Sequence, residues 1–315
     1  MKDSSQTEIV IAGHVRCALE EQLPVVALES TVIAHGLPHP INFETAMACE
    51  EAIRKRGATP ATLGIVDGIP IVGLNEDEIR RFATGQDPNG RLIEKIGLNN
   101  LAGVMTRRLW GATTVASSLR LAHRAGIRVF STGGIGGVHR GVAESLDISA
   151  DLTALGDTPL ICVCAGAKAI LDLPKTLEHL ETLGVPVIGY CTEELPAFYS
   201  RSSGLELDEK VESAEEAAAL AERHWEFGSR TGVLVCVPVP EEFEIPSSAI
   251  ADALDEAMVR AGNSGVRGKS VTPFLLAEME KLTGGRTVET NRALLANNAS
   301  VAASIAVSLS RTTRM

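Results

Sequence analysis

Four stretches of the chain carry side chains that can do chemistry. In LICVCAGAKAILD, residues 160–172, a short apolar run favouring β structure meets Ala-Gly-Ala and then a lone lysine, Lys168. The run reads as a buried strand and the segment from Lys168 to Leu183 as a helix. Lys168 then stands near the carboxyl end of a core strand, where open α/β sheets gather their ligands. An ammonium is poorly matched to the amino end of a helix dipole. Apolar neighbours and that dipole would lower its pKa and make the amine a nucleophile toward carbonyl carbon. The competing reading is a lysine whose stem covers apolar surface while its head reaches water.

In LESTVIAHGLPHP, residues 28–40, Glu29 closes an apolar run. A carboxyl there is a general acid/base, which needs a raised pKa at neutral pH, or a helix-capping partner. His35 and His39 lack a cysteine or third histidine nearby and read as loop residues rather than metal ligands.

The stretch STGGIGGVHRGVAESLDISADL, residues 131–152, places Gly133, Gly134, Gly136 and Gly137 after a strand-like run. Such a turn can present backbone amides to an oxyanion. It has neither the G-x-G-x-x-G spacing of a dinucleotide site nor a phosphate-loop Gly-Lys-Ser/Thr. His139 and Arg140 add hydrogen bonds and charge. Asp147, Ser149 and Asp151 alternate, which suits either a hard divalent ion or the capping of a helix start.

WGATTVASS, residues 110–118, puts Thr113 and Thr114 near a helix amino end, for an oxyanion or for ordinary capping. Lys95, in RLIEKIGLNN, reads as a surface lysine. Asn291, Asn297 and Asn298 lie on a helix, where asparagine is a mediocre former, so hydrogen-bonding duty is expected of them.

These groups need a scaffold. Strand-like runs recur at Pro24–Leu28, Leu63–Val66, Ile127–Phe130, Pro159–Cys164, Pro186–Gly189 and Gly232–Val237. Helical patterns fall between them at Phe43–Lys55, Ala112–Arg124, Lys168–Leu183 and Ala214–Glu226. The alternation predicts a three-layer α/β/α fold around a largely parallel or mixed sheet. A helical carboxyl-terminal extension follows at Ser248–Ala261, Pro273–Leu282 and Glu289–Ser308. The polar stretch Thr84–Arg91 is the candidate flexible excursion. With 315 residues, 45% of them hydrophobic, the chain reads as one domain over residues 1–315.

The formal net charge of −11 argues against nucleic acid and anionic membranes as partners. The six cysteines show no CxxC spacing and read as reduced thiols of a cytoplasmic protein. The polar start MKDSSQTEIV has no apolar targeting core, and no apolar stretch is expected to span a membrane.

Taken in order, ALEST, AHGLP, GATTVASS, STGGIGGVHRG, DISADL, VCAGAKAILD, TLGVPVIGY, LPAFYSRSSG and VTPFLLAEM resemble the pseudouridine-5′-phosphate glycosidase family, which includes indigoidine synthase A-like proteins. The resemblance runs from about residue 8 to residue 308. It implies reversible cleavage of the C–C glycosidic bond of pseudouridine 5′-phosphate to uracil and ribose 5-phosphate. By motif matching, Lys168 resembles the imine-forming nucleophile and Glu29 the proton donor. Lys95, Val115, Ser149, Ala150 and Asp151 match substrate contacts, and Thr114, His139 and Asn298 are expected beside them. Asp147 matches the ligand of a divalent metal, Mn²⁺ or a relative such as Mg²⁺, with no organic cofactor. A small-molecule substrate and a cytoplasmic homotrimer with a mixed sheet are also implied.

The chain departs from the family pattern at TRRLWG, residues 106–111, where Arg107, Arg108 and Trp110 are bulkier and more basic than expected. The stretch from Gly73 to Lys95 also looks a few residues longer than in some relatives. A C-ribosylating synthase acting on a non-uracil aromatic is therefore an alternative. A catalytically silent sugar-phosphate-binding protein is another, disfavoured because Glu29, Lys95, Asp147 and Lys168 stand together. Trp110 is expected to pack under a helix or at a subunit contact rather than at the sugar.

Overall fold

The computed structural model describes residues 9–266 and 271–312. In chain order the strands are β1 (Val10–Ile11), β2 (Val25–Leu28), β3 (Thr59–Val66), β4 (Ile69–Val72), β5 (Glu94–Ile96), β6 (Gly111–Thr113), β7 (Val129–Ser131), β8 (Ile161–Cys164), β9 (Val187–Tyr190), β10 (Glu209–Val211) and β11 (Val233–Cys236). The helices are α1 (Gly13–Glu20), α2 (Ile41–Lys55), α3 (Glu76–Ala83), α4 (Leu101–Thr106), α5 (Val115–Arg124), α6 (Val142–Ser145), α7 (Ala150–Leu155), α8 (Leu173–Thr182), α9 (Ala214–Glu226), α10 (Ser247–Asn263), α11 (Val271–Leu282) and α12 (Arg286–Thr312). A π-helical turn, Val32–Gly36, follows β2.

The strands form one mixed sheet in the order β1-β4-β3-β2-β7-β8-β11-β9-β10, with β6 on β3 and β5 on β6. From β3 to β10 all neighbours on this path run parallel, whereas β4 and β6 are antiparallel to β3. Helices α2, α9 and α12 pack together on one face, and α5 packs with α7 on the other. Strands such as β8, Ile-Cys-Val-Cys, are consequently buried along their whole length and carry no polar alternation.

Strand β3 is shared. Its first half pairs with β2, ending at Leu28 opposite Thr62. Its second half pairs with β4 and, at Gly64 and Ile65, with β6. Lys95, Ala112 and Gly64 therefore stand level across three strands, close to the level at which Glu29 leaves β2.

The structure departs from the sequence reading in several places. Gly111–Thr113 is strand, because it pairs with both β3 and β5, and the helix expected from Ala112 begins at Val115. The helix expected from Lys168 begins at Leu173, where Asp172 accepts the Lys175 amide at 3.1 Å and Pro174 sits in the first turn. The stretch Thr84–Arg91 is a built turn: the buried Asp87 carboxylate accepts from the Asn89 and Arg91 amides at 2.8 and 2.9 Å and from Arg91 Nε at 2.7 Å.

Helix α12 is longer than expected, and by length and composition it could cross a membrane. In the fold it packs on α2, α9, β2, β7 and β8, and more than half of its apolar window is buried. Among the described residues the cysteines are all free: Cys49, Cys162, Cys164 and Cys236 are buried, while Cys17 and Cys191 are exposed. Trp110 belongs to a small core, with its indole Nε1 donating to Asp67 Oδ1 at 3.0 Å and its ring 5.4 Å from that of Phe82. Its side chain is buried in that core.

Candidate active site

The site lies at the carboxyl ends of β2, β7 and β8, between the two helical layers. Glu29 is the first residue after β2 and is buried. Thr132, the first residue after β7, donates its hydroxyl to Glu29 Oε1. Burial raises the Glu29 pKa above the ordinary carboxylate range, against the opposing pull of Lys168, of the Thr132 hydrogen bond and of Lys95. The Asp151 charge adds to the rise. These groups are thus close enough to act on one another's charge.

Lys168 is half-buried in the loop between β8 and α8, not in a helix. The dipole argument made from the sequence therefore does not apply to it. What holds it is backbone: its amide donates to the Ile135 carbonyl at 3.1 Å, and Ala167 bridges to Ile135. The loop turns at Gly166 with φ +82°, where a Cβ would lie 2.3 Å from the Pro196 carbonyl oxygen. Only glycine fits, and the turn brings Lys168 back over the strand ends.

Lys95 is on β5 and open to solvent along part of its length. Loss of hydration and then the charge of Lys168 lower its pKa, so the two ammonium groups share the site. Lys95 is a surface lysine, as read from the sequence, and the β3–β6–β5 register, which no local pattern reveals, places it close to the level of the end of β2.

Of the two readings left open for Asp147, Ser149 and Asp151, ion binding or capping, Asp151 follows the second. Its buried carboxylate accepts the Ala116 amide through Oδ1 and the Gly136 amide through Oδ2, both at 2.8 Å. It ties the start of α5 to the glycine turn. Ser149 caps α7, accepting the Asp151 amide at 3.2 Å. The capping reading of this pair is the observed one.

The glycines of 133–137 allow close packing, and part of the turn's amides are used within the fold. A Cβ on Gly136 would meet Ser149 Oγ at 2.2 Å, and the Ile135, Gly136 and Val138 amides are already engaged. Thr114 Oγ1 donates to the Ile96 carbonyl at 2.8 Å, beside Lys95, and Val115 is buried at the start of α5. Ala150 is exposed on the first turn of α7. His139 is half-buried: its amide donates to the Asp147 carbonyl at 3.0 Å and its backbone pairs with Leu171. Asn298, fully buried on α12, donates Nδ2 to the Thr132 carbonyl at 2.9 Å, while its Oδ1 has no partner.

Asp147 is half-buried on the loop before α7, and Ser145 Oγ accepts its amide at 3.2 Å. Among the described residues no group of three or more His, Cys, Asp or Glu side chains could hold a metal ion. The donor set at Asp147 is one carboxylate, which suits a hard ion that keeps most of its waters and nothing more tightly caged. The sequence reading gave no separate role to Thr132. Its signal was a pair of hydroxyls, Ser131 and Thr132, placed between an apolar run and a glycine pair.

The family model described as indigoidine synthase A like protein matches residues 14–308. The chain belongs to the indigoidine synthase A-like family. Among curated relatives of this indigoidine synthase A-like chain, the pseudouridine-5′-phosphate glycosidase of Caldanaerobacter subterraneus is 50% identical over 303 residues, 96% of this chain and 97% of that one. The pseudouridine-5′-phosphate glycosidase of Myxococcus xanthus is 51% identical over 304 residues, 96% and 99% of the two chains. Among solved structures, the prealnumycin C-glycosynthase in complex with ribulose 5-phosphate superposes with a TM-score of 0.90 at 37% identity, covering 98% of this chain and 99% of that one. An indigoidine synthase A-like protein from Thermotoga maritima gives 0.85 at 37% identity, over 96% and 97%.

Proposed function

We propose that this indigoidine synthase A-like protein is a pseudouridine-5′-phosphate glycosidase, which cleaves pseudouridine 5′-phosphate with water to uracil and ribose 5-phosphate, reversibly. The observation that carries the reading is the meeting of the buried Glu29, whose pKa is raised, with Lys168 and Lys95 at the strand ends. Near-full-length identity of about one half to glycosidases supports the substrate.

The bond to be broken joins two carbons, so an oxygen leaving group is not available to take up a proton as it departs. An amine removes that difficulty. Once the ribose ring opens and Lys168 Nζ bonds to C1′, the nitrogen lone pair forms an imine while the C–C electron pair passes to the uracil ring. The uracil carbon takes a proton, and water hydrolyses the imine to free ribose 5-phosphate and Lys168. Glu29, whose burial favours the protonated form, supplies the proton that ring opening calls for. Lys95 supplies positive charge toward the anionic substrate. The amino ends of α5 and α7, with Thr114, Val115, Ser149, Ala150 and Asp151, frame the sugar phosphate, and His139 and Asn298 line its surroundings.

Asp147 would hold a Mn²⁺ or Mg²⁺ ion through its single carboxylate and water. When bound, such an ion supplies positive charge to the substrate's oxygen atoms. We place the enzyme in the cytoplasm as a homotrimer, on the family resemblance.

Incubation with pseudouridine 5′-phosphate and Mn²⁺ should release uracil and ribose 5-phosphate. Borohydride added during turnover should fix a sugar-phosphate mass on the peptide containing Lys168. No uracil, or an unmodified Lys168 in a working enzyme, counts against the reading. Chelation should abolish turnover and Mn²⁺ restore it, with Asp147→Ala needing far more metal. The structural likeness to a C-glycosynthase favours a second reading, ribosylation of a larger aromatic. That reading requires poor turnover of pseudouridine 5′-phosphate by the wild type.

A further inference from the structure

Behind Glu29 is a small cavity between the sheet and the α2–α12 layer. Apolar side chains of β2, the π-helical turn, α2 and α12 supply most of its wall, and Glu29, Asn42, Thr45, Thr62, Ser131 and Thr132 its polar edge. Glu29 and Thr132 line it, whereas none of Lys95, Asp151 or Lys168 does. It offers about 20 Å³ to the centre of a water molecule. That is room for one water, and hydroxyls and a carboxyl are there to bind it.

The polar edge continues outward. Thr62 Oγ1 donates to Glu50 Oε1 at 2.7 Å, and Glu50 Oε2 accepts from Arg54 Nη2 at 2.5 Å. The Glu50 side chain is only 6% exposed and that of Arg54 is 47% exposed, so this pair joins the interior to solvent along one turn of α2. A carboxylate that is buried must be satisfied, and Thr62 and Arg54 satisfy Glu50. That accounts for its stability but not for its position beside the cavity that backs Glu29.

We infer that Glu50, Thr62 and one water in this cavity form a proton path that reloads Glu29 from solvent on the side away from the substrate. This rests on the reading of Glu29 as a proton donor. After Glu29 has given up its proton, one from solvent enters at Glu50. The Thr62 hydroxyl takes it and passes its own to the water, and the water passes one to Glu29. No atom is gained or lost except the proton. The observed orientation, Thr62 donating to Glu50, is that of the path after delivery, with the proton on Glu29. Cys49, also on the wall, is no competing donor: burial and then the Glu50 charge push its thiol up to about 12.

The test uses the intact protein and pseudouridine 5′-phosphate. Thr62→Val keeps the shape and removes the hydroxyl. It should lower kcat by about tenfold, within the share a general acid usually contributes, with KM unchanged. The solvent deuterium isotope effect on kcat should rise, and small acids such as formate should restore part of the rate. Thr62→Ser should recover both. Ala46→Leu, which fills the cavity from α2, should repeat the Thr62→Val effect without touching a hydroxyl. A crystal structure of the wild type should hold a water bonded to Glu29 and Thr62. If both variants fold, as thermal melts would report, and keep kcat and the isotope effect of the wild type, the path is wrong. If instead the wild type releases no uracil, the function reading fails, and the water in the cavity still decides whether the link exists.

Discussion

The Thr132 hydroxyl donates to Glu29 Oε1, so the end of β7 holds the carboxyl that leaves the end of β2. The bond favours the charged form of Glu29, whereas burial favours the neutral one, and burial wins. Thr132→Val removes a pull toward ionisation. Glu29 should then hold its proton to higher pH, and the alkaline fall in kcat should move upward. A pH–rate profile with the same alkaline limb in both proteins would exclude this control of Glu29.

Glu29→Gln should separate activity from stability. Turnover should fall by about 10²–10⁴-fold, the usual contribution of a general acid. The folded protein holds a proton on Glu29 at pH values where the unfolded chain has lost it. Stability from this group is thus complete below the unfolded pKa and is lost as pH rises through the raised folded one. Glutamine cannot ionise, so the variant should melt higher than the wild type on the alkaline side. The two should converge in acid. Melting curves across pH check this, and a variant that is less stable throughout would contradict it.

Asp151 binds two amides from separate segments, and the Ala116 amide is buried. Asp151→Ala should cost about 2–4 kcal/mol of unfolding free energy, as expected for two hydrogen bonds to a charged acceptor. Ser149→Ala, which removes only a cap, should cost about 1 kcal/mol. Urea denaturation of the two variants provides the comparison. Equal losses would mean that Asp151 does not tie α5 to the glycine turn.

Trp110 is a packing residue, with Phe82 and Asp67 as its partners. Trp110→Asn should destabilise the protein by about 3 kcal/mol, as large-to-small changes in cores do. It should change kcat/KM for pseudouridine 5′-phosphate by less than about tenfold, or 1.4 kcal/mol of transition-state binding. A clear gain in kcat/KM would instead favour a pocket shaped for a larger aromatic.

The core strands were legible because burial from both faces leaves apolar runs such as Pro159–Cys164. Helix patterns survived for the same reason at Ala214–Glu226, whose small alanines pack on α12. Lys168 and Glu29 were visible because each interrupts or closes such a run. The start of α8 was misread because Ala169–Leu171 are apolar and look helical, while the Asp172 cap and Pro174 set the true start. Lys95 was opaque because its place depends on strand pairing over some fifty residues, and spacing along the chain carries none of that. Asp151 was ambiguous between ligand and cap until its two amide partners, at Ala116 and Gly136, were known.

The sharing of β3 makes that strand a ruler for the site. One of its halves fixes the level of β2, which delivers Glu29, and the other fixes β6 and through it Lys95. One residue added within Thr59–Val66 would displace one register against the other by about 3.3 Å and turn the following side chains to the opposite face. The Asp87 turn, by contrast, closes on itself across Gln86 and Leu92, so extra residues at its tip leave that measure intact. Length variation in lineages of this fold should therefore collect between Gly73 and Lys95 and be excluded from β3.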